Sequence, residues 1–374
     1  MKFTNTTIKI VWLVILLFLL AILVVLLSTV VDFLPVDFAN FRQGTNLILS
    51  HQNPYGDLEF FGLPWFGIIF APFALLPESL SAIIWLLLNF FCALVFIHLT
   101  LRSLENKNRF MQSLAVKSLI ILLAPASFFA LVIGQISPLI ALSVIVLIQA
   151  IDHEKKADLW RIPLAFSIMS MKPHIIALGL ILSFAELVRS RRWKPVIYTV
   201  TLFLVLIIVS FILLPDWPVY WVETILRGDY LGGKPGLVAT GFVTFADIGI
   251  DWRIFLIFLL YTIYGWYKQG WNGFTASLIL VVNFLVIPYS RFYDYVLLFL
   301  PLIYIFQNSR SIYQKMMFIL VILSFILLPF TTVPLLMPVI TLLGVIWVKT
   351  FDKTGEFKKT MDHPSSQPRT IPGV

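Results

Sequence analysis

Apolar runs recur along almost the whole chain, and short polar islands separate them. Several runs reach the length of roughly 20 residues that a bilayer crossing needs, which predicts membrane-spanning helices rather than a water-soluble core. The first covers residues 8–31. Further spans are expected near 79–101, 114–132, 136–151, 195–214, 253–267, 274–287, 295–306, 316–328 and 335–348. The expected fold is an all-α polytopic bundle of about ten spanning helices with added re-entrant and interfacial helices.

Three stretches break this rhythm. From Pro35 to Gly56, PVDFANFRQGTNLILSHQNPYG is too polar to span. Pro35 and Asp37 mark a helix start, and Phe38, Phe41, Thr45 and Ile48 recur at helical spacing, so an interfacial amphipathic helix ending in a turn is predicted. GLPWFGIIFAPFALLP, from Gly62 to Pro77, is apolar but carries Pro64 and Pro72, which predicts a re-entrant or interfacial segment. Residues 162–188 lie between two basic loops, DHEKKADLWR and RSRRWK. They are too few to cross twice at about 1.5 Å per residue, so two half-helices meeting at Lys172-Pro173 are predicted. Another interfacial helix is expected at 219–227.

Composition agrees with a membrane chain. It is 60% hydrophobic and 12% charged, against roughly 25% charged in soluble domains. Mean hydropathy is +0.95. The net charge of +8 does not point to nucleic acid, because the cations sit in short loops between apolar runs. Of 27 Lys and Arg, only Arg42, Arg227, Lys234, Arg253 and Arg291 fall on the far side of the proposed topology, with Lys172 inside the membrane. That asymmetry predicts both termini in the cytoplasm. Residues 1–348 would form the membrane domain and 349–374 a polar, disordered cytoplasmic tail. The single cysteine, Cys92, lies in an apolar run and excludes an intramolecular disulfide or a thiolate metal site.

On this topology the polar islands collect outside the cytoplasm. Asp37, Arg42, His51 and Tyr55 lie there with Gln135, the 215–252 loop holding Arg227, and PYSRFYDY with Arg291, Tyr293 and Asp294. Cations beside aromatic residues suit a phosphate head group on a lipid tail. A lysine at the depth of Lys172 costs several kcal/mol unless it faces a cavity or partner, so it is a functional candidate. Each residue also has a plainer reading. Asp37 could cap its helix, and Asp32 is a rival carboxylate. His51 could sit in a surface turn, and Asn53-Pro54-Tyr55 could be only that turn. Gln135 could satisfy backbone at the Gly134-Gln135 turn, Lys172 could snorkel, and Arg291 could pair with Asp294.

The ordered set Asp37…Gly44…Asn53-Pro54-Tyr55, Pro72…Pro77, Gly134-Gln135, Lys172-Pro173 and Pro288…Ser290…Asp294 resembles the C-type, polyprenol-phosphate-dependent glycosyltransferases. The likeness is to glycosyltransferase family 87, the group with the mycobacterial phosphatidylinositol-mannoside mannosyltransferases. The resemblance implies a hexosyltransferase, of mannosyl type, in a bacterial plasma membrane. It would move a sugar from a polyprenyl phosphate to a lipid or glycan hydroxyl on the extracytoplasmic side. Asp37 would be the general base. Arg42, His51, Tyr55, Gln135, Lys172, Arg227, Arg291, Tyr293 and Asp294 are the candidate substrate contacts. No cofactor, metal or nucleic-acid partner is implied. Members of the family often carry a histidine in the element matching PYSRFYDY, where this chain has Tyr289, Arg291, Tyr293 and Asp294. The competing class is a transporter or flippase for a lipid-linked or anionic solute, which would also use a broken helix and a basic cavity; no internal repeat is visible.

Overall fold

A computed structural model describes residues 35–55, 60–103, 124–152, 158–227, 253–286, 290–309, 311–327 and 336–362, together with Lys117 and Ile121. The first expected span, Asp32, the Gly-Gly-Lys-Pro-Gly turn, Tyr289 and residues 363–374 lie outside them. Among the described residues the regular elements are helices. In chain order they are α1 (Val36–Leu49), α2 (Pro64–Leu75), α3 (Glu78–Ser103), α4 (Pro125–Val132), α5 (Ser137–Asp152) and α6 (Asp158–Met169). A 3-10 turn at Pro173–Ile176 leads to α7 (Ala177–Arg189), α8 (Trp193–Leu213) and α9 (Trp217–Arg227). Then come α10 (Ile254–Gln269), α11 (Gly273–Val286), a 3-10 helix at Phe292–Leu298, α12 (Phe299–Asn308), α13 (Ile312–Leu327) and α14 (Leu336–Asp362).

Glu78–Arg102 and Trp193–Leu213 are each long and apolar enough to cross a membrane, and a bent pair, α4 with α5, makes a third if it is one span. Ten full spans are therefore not what the described residues display. Most other apolar helices are 10–17 residues long, short of the roughly 20 a straight crossing needs. Ile254–Gln269, Gly273–Val286 and Ile312–Leu327 follow expected runs that are themselves short, and the run at 295–306 is divided between a 3-10 helix and α12. The last helix continues through Asp362, beyond Val348 where the sequence pattern ends the span.

α5 and α11 form the centre. α5 packs on α3, α4, α6, α7 and the 3-10 helix at 292–298. α11 packs on α7, α10, α12 and α14, and its residues from Phe274 to Leu285 are all buried. α1 packs against α2. Its 14 residues extend about 21 Å, too short to span. Phe38, Thr45 and Ile48 form its buried stripe, while Val36 stays exposed. The α1–α2 approach is close because of glycine. A Cβ on Gly44 would meet the Phe60 ring at 2.4 Å, and one on Gly67 would meet Ile48 at 2.8 Å. Phe38, Phe66, Phe70 and Trp85 knit α1, α2 and α3 together through ring contacts with centroids 4.9–6.5 Å apart.

Candidate functional site

Two helix breaks and one helix start converge at a single point. The first break is the turn between α4 and α5, where the helices bend by 119°. Gly134 takes φ +76°, a conformation that only glycine adopts cheaply, and a Cβ there would strike Phe38 at 2.7 Å and Pro35 at 3.0 Å. That space lets the start of α1 dock on the turn. The backbone N–H groups of Asp37 and Phe38 donate to the Ile133 carbonyl at 3.0 and 3.4 Å, which satisfies amides that a helix start leaves unpaired. The Trp85 indole N–H holds the other side of the turn by donating to Gly134 O at 2.7 Å. Asp37 is thereby set beside Gln135.

The second break falls at Lys172-Pro173, as the apolar pattern predicts. α6 ends at Met169 and α7 begins at Ala177. Asn283 of the buried helix α11 repairs the interrupted backbone. Its Oδ1 accepts from Leu178 N at 2.9 Å and its Nδ2 donates to His174 O at 3.3 Å. This pins the vertex and aims Lys172 at the turn and at the 3-10 helix.

A line of hydrogen bonds joins the pieces. Gln135 Nε2 donates to Asp37 Oδ2 at 2.5 Å, and Lys172 Nζ donates to Gln135 Oε1 at 3.1 Å. Lys172 Nζ also donates to Asp294 Oδ1 at 2.5 Å. Asp294, with no side-chain exposure, accepts further from Ser137 Oγ at 2.5 Å and from the Arg291 backbone N–H at 3.2 Å. The Lys172 ammonium lies 5.1 Å from the Tyr293 ring centroid. The amide of Gln135 can face only one way, with its NH2 toward the carboxylate and its oxygen toward the ammonium.

A cavity of about 70 Å³ opens beside this line, walled by Asp37, Gln135, Lys172, His174, Arg291 and Tyr293 and by the rings of Phe41, Phe61 and Phe66. Burial raises the Asp37 carboxyl above its ordinary 3.8, against the Gln135 hydrogen bond and the Lys172 and Arg291 charges, with Asp294 adding to the rise. Among the described residues no three His, Cys, Asp or Glu side chains gather as a metal site would require. The arrangement sets two cations, Lys172 and Arg291, and the Asp37 carboxylate on the wall of one small cavity.

Six of the ten residues singled out from sequence meet here: Asp37, Gln135, Lys172, Arg291, Tyr293 and Asp294. Asp294 stands behind Lys172 rather than on the cavity wall. Its buried carboxylate accepts from Ser137, Lys172 and the Arg291 backbone N–H. Asp37 is not a helix cap, because its side chain bonds to Gln135. Of the other four, three do not arrive. Arg42 donates to Leu76 O at 3.0 Å and lies 3.9 Å from Glu78, tying α1 to the end of α2. His51, at φ +57°, reaches Leu213 O at 2.8 Å and fastens the α1 exit to α8. Tyr55 is buried, its hydroxyl donating to Gly62 O at 2.8 Å and its N–H to Asn53 Oδ1 at 2.9 Å, so Asn53-Pro54-Tyr55 is an Asx turn. Arg227 ends α9, and its side chain lies outside the described residues.

Sequence reasoning passed over Ser137 and His174. Each adjoins a singled-out motif, Gly134-Gln135 and Lys172-Pro173, and adjacency was the available signal. His174 puts an imidazole on the cavity wall, although the 3-10 helix opposite has none.

Comparison with curated proteins and with solved structures returns no match. The model of glycosyltransferase family 87 matches residues 60–288. That stretch holds Gln135, Lys172 and His174; Asp37 lies before it and Arg291, Tyr293 and Asp294 after it, and the fold brings both flanks back to the matched core. The assignment is to a glycosyltransferase rather than a transporter. The chain belongs to glycosyltransferase family 87.

Proposed function

We propose that the protein transfers a hexosyl residue, of mannosyl type, from a polyprenyl-phosphate sugar to a lipid or glycan hydroxyl on the extracytoplasmic side of a bacterial plasma membrane. The observation that carries this reading is the shared contact of Asp37 and Lys172 with Gln135, which sets a carboxylate and a cation on one small cavity. The acceptor oxygen attacks the anomeric carbon and forms the new glycosidic bond. Its proton passes to Asp37, whose Oδ2 is held by Gln135 and whose Oδ1 is the accepting atom. The bond from the anomeric carbon to the phosphate oxygen breaks, and its electron pair leaves with the polyprenyl phosphate. Lys172 and Arg291 meet that charge, which grows as the bond stretches. Tyr293 offers a ring face beside the ammonium, suited to the apolar face of a sugar.

The test uses purified protein in nanodiscs with radiolabelled polyprenyl-phosphate sugars and a membrane-lipid extract. Transfer by the wild type and its loss in Asp37→Asn are expected. Undiminished transfer in Asp37→Asn would remove Asp37 from the mechanism, and no transfer from any polyprenyl donor would overturn the donor class.

A further inference from the structure

The line from Asp37 to Asp294 connects charges as well as hydrogen bonds. Lys172, Arg291 and Asp294 are the charged groups that act on Asp37. With Asp37 they make two carboxylates and two cations, so their formal charges cancel. Asp294 is fully buried and pairs directly with Lys172, whereas Asp37 meets the same ammonium only through Gln135. The other charges near α1 are turned elsewhere, Arg42 to Leu76 O and Glu78. His174 and Tyr293 are the remaining titratable side chains on the cavity wall.

Gln135 does more than bridge a gap. Its oxygen accepts from Lys172 and its NH2 donates to Asp37, and hydrogen bonds made in a chain polarise one another. The ammonium draws electron density toward the amide oxygen, which makes the Nε2–H a stronger donor to the carboxylate. Lys172 therefore favours the ionised Asp37 twice, by its field and through the amide. Both effects make the carboxylate a weaker base. An ammonium has three N–H groups. Gln135 Oε1 and Asp294 Oδ1 take two of them, and Lys172 borders the cavity. An anion in that cavity meets the same cation that restrains Asp37.

We infer that Gln135 links the two halves of the reaction: phosphate held by Lys172 and Arg291 makes Asp37 a stronger base, so the base reaches full strength only with the donor in place. The inference rests on the donor reading above. The added negative charge offsets the cation field at Asp37, and an ammonium shared with phosphate polarises the amide less. Asp37 then holds a proton more tightly, as the acceptor hydroxyl requires when the glycosidic bond forms. Such coupling is reciprocal: removing the Asp37 charge must tighten phosphate binding by the same factor, typically about 5- to 150-fold.

Two measurements read the coupling. In the first, purified protein in nanodiscs is titrated with a polyprenyl phosphate, and with the uncharged polyprenol as control. At neutral pH the phosphate should bind Asp37→Asn about tenfold more tightly than wild type, and the polyprenol should bind both alike. The difference should vanish as pH falls through the wild-type Asp37 titration, where both side chains are neutral. Equal affinities at neutral pH would overturn the inference, and so would an equal gain for the polyprenol. In the second, wild-type transfer is followed against pH at saturating acceptor. The acid limb of kcat reports the donor-bound enzyme and should lie about one pH unit above that of kcat/KM for the donor. Coincident limbs would overturn the inference. Gln135→Leu keeps all four charges and removes the amide, so the two limbs should move closer, with thermal unfolding recorded to show that the variant folds. Full separation in folded Gln135→Leu would overturn the part given to Gln135. Tighter lipid-phosphate binding by Asp37→Asn, with no sugar transferred by wild type from any polyprenyl donor, would leave the coupling standing and remove the donor reading instead.

Discussion

Gln135 is the residue on which the site turns. Its amide has one acceptor and one donor engaged, by Lys172 and Asp37, so it sets the distance between the cation and the carboxylate. Asp37→Asn should lower kcat by about 10²- to 10⁴-fold, the usual contribution of a positioned base, while binding of a lipid phosphate is retained; rapid kinetics with a separate binding assay checks both. Burial places the Asp37 pKa above 3.8, and the base must be ionised to work. Activity is therefore fully present above the raised pKa and falls as pH drops through it. The acid limb of kcat/KM should lie above 3.8, and Asp37→Asn should remove that limb from any residual rate. Lys172 and Asp294 form a buried pair with side-chain exposures of 12% and 0%. Lys172→Met leaves Asp294 buried without its partner and should cost about 3–5 kcal/mol. Adding Asp294→Leu should return part of that loss. Denaturation of the single and double variants in detergent measures the difference.

At the scale of elements, the site exists because two helix breaks and one helix start meet. Much of this was readable in order: Gly134-Gln135 and Lys172-Pro173 mark the two breaks, and Pro35 with Asp37 marks the start of α1. The pattern could not say that α1 seats on the first break, because the Ile133 carbonyl and the space at Gly134 are used by residues almost a hundred positions away. Gly134→Ala would force a side chain into a positive-φ turn and against Phe38. A loss of about 1–3 kcal/mol is expected from such strain, with a fall in transfer larger than thermal melting alone explains, since α1 carries Asp37. The 3-10 helix at 292–298 was harder to foresee. PYSRFYDY reads as an exposed polar loop, yet Asp294 is fully buried because Ser137, Lys172 and the Arg291 amide together satisfy it.

For the whole molecule, sidedness is the property that decides whether this site faces the donor. The Lys and Arg distribution predicts both termini in the cytoplasm and α1 outside it. The protein supplies its own test, because Cys92 is its single cysteine and is buried. Val36 is 60% exposed at the start of α1. Val36→Cys should react with a membrane-impermeant thiol reagent added to intact cells, against a silent wild-type background, and a reporter fused after Val374 should read as cytoplasmic. Reaction only after the cells are opened would invert the topology and move the site to the other face.

Hydrophobic patterning by itself determined that this chain is helical and apolar, where its helices break, and where its polar islands lie, because burial preference and proline and glycine geometry act locally. The ordered motifs also pointed to the family. Only the tertiary structure decided which islands meet. Asp37, Gln135, Lys172 and Asp294 are separated by 98, 37 and 122 residues along the chain, and hydrogen bonds join them into one line. Arg42, His51 and Tyr55 share the polar stretch of Asp37 but spend their donors on backbone carbonyls of α2, α8 and the 60–63 segment. A residue's type and neighbours tell what it can bond to, but whether a protein carbonyl reaches it first depends on packing between distant segments.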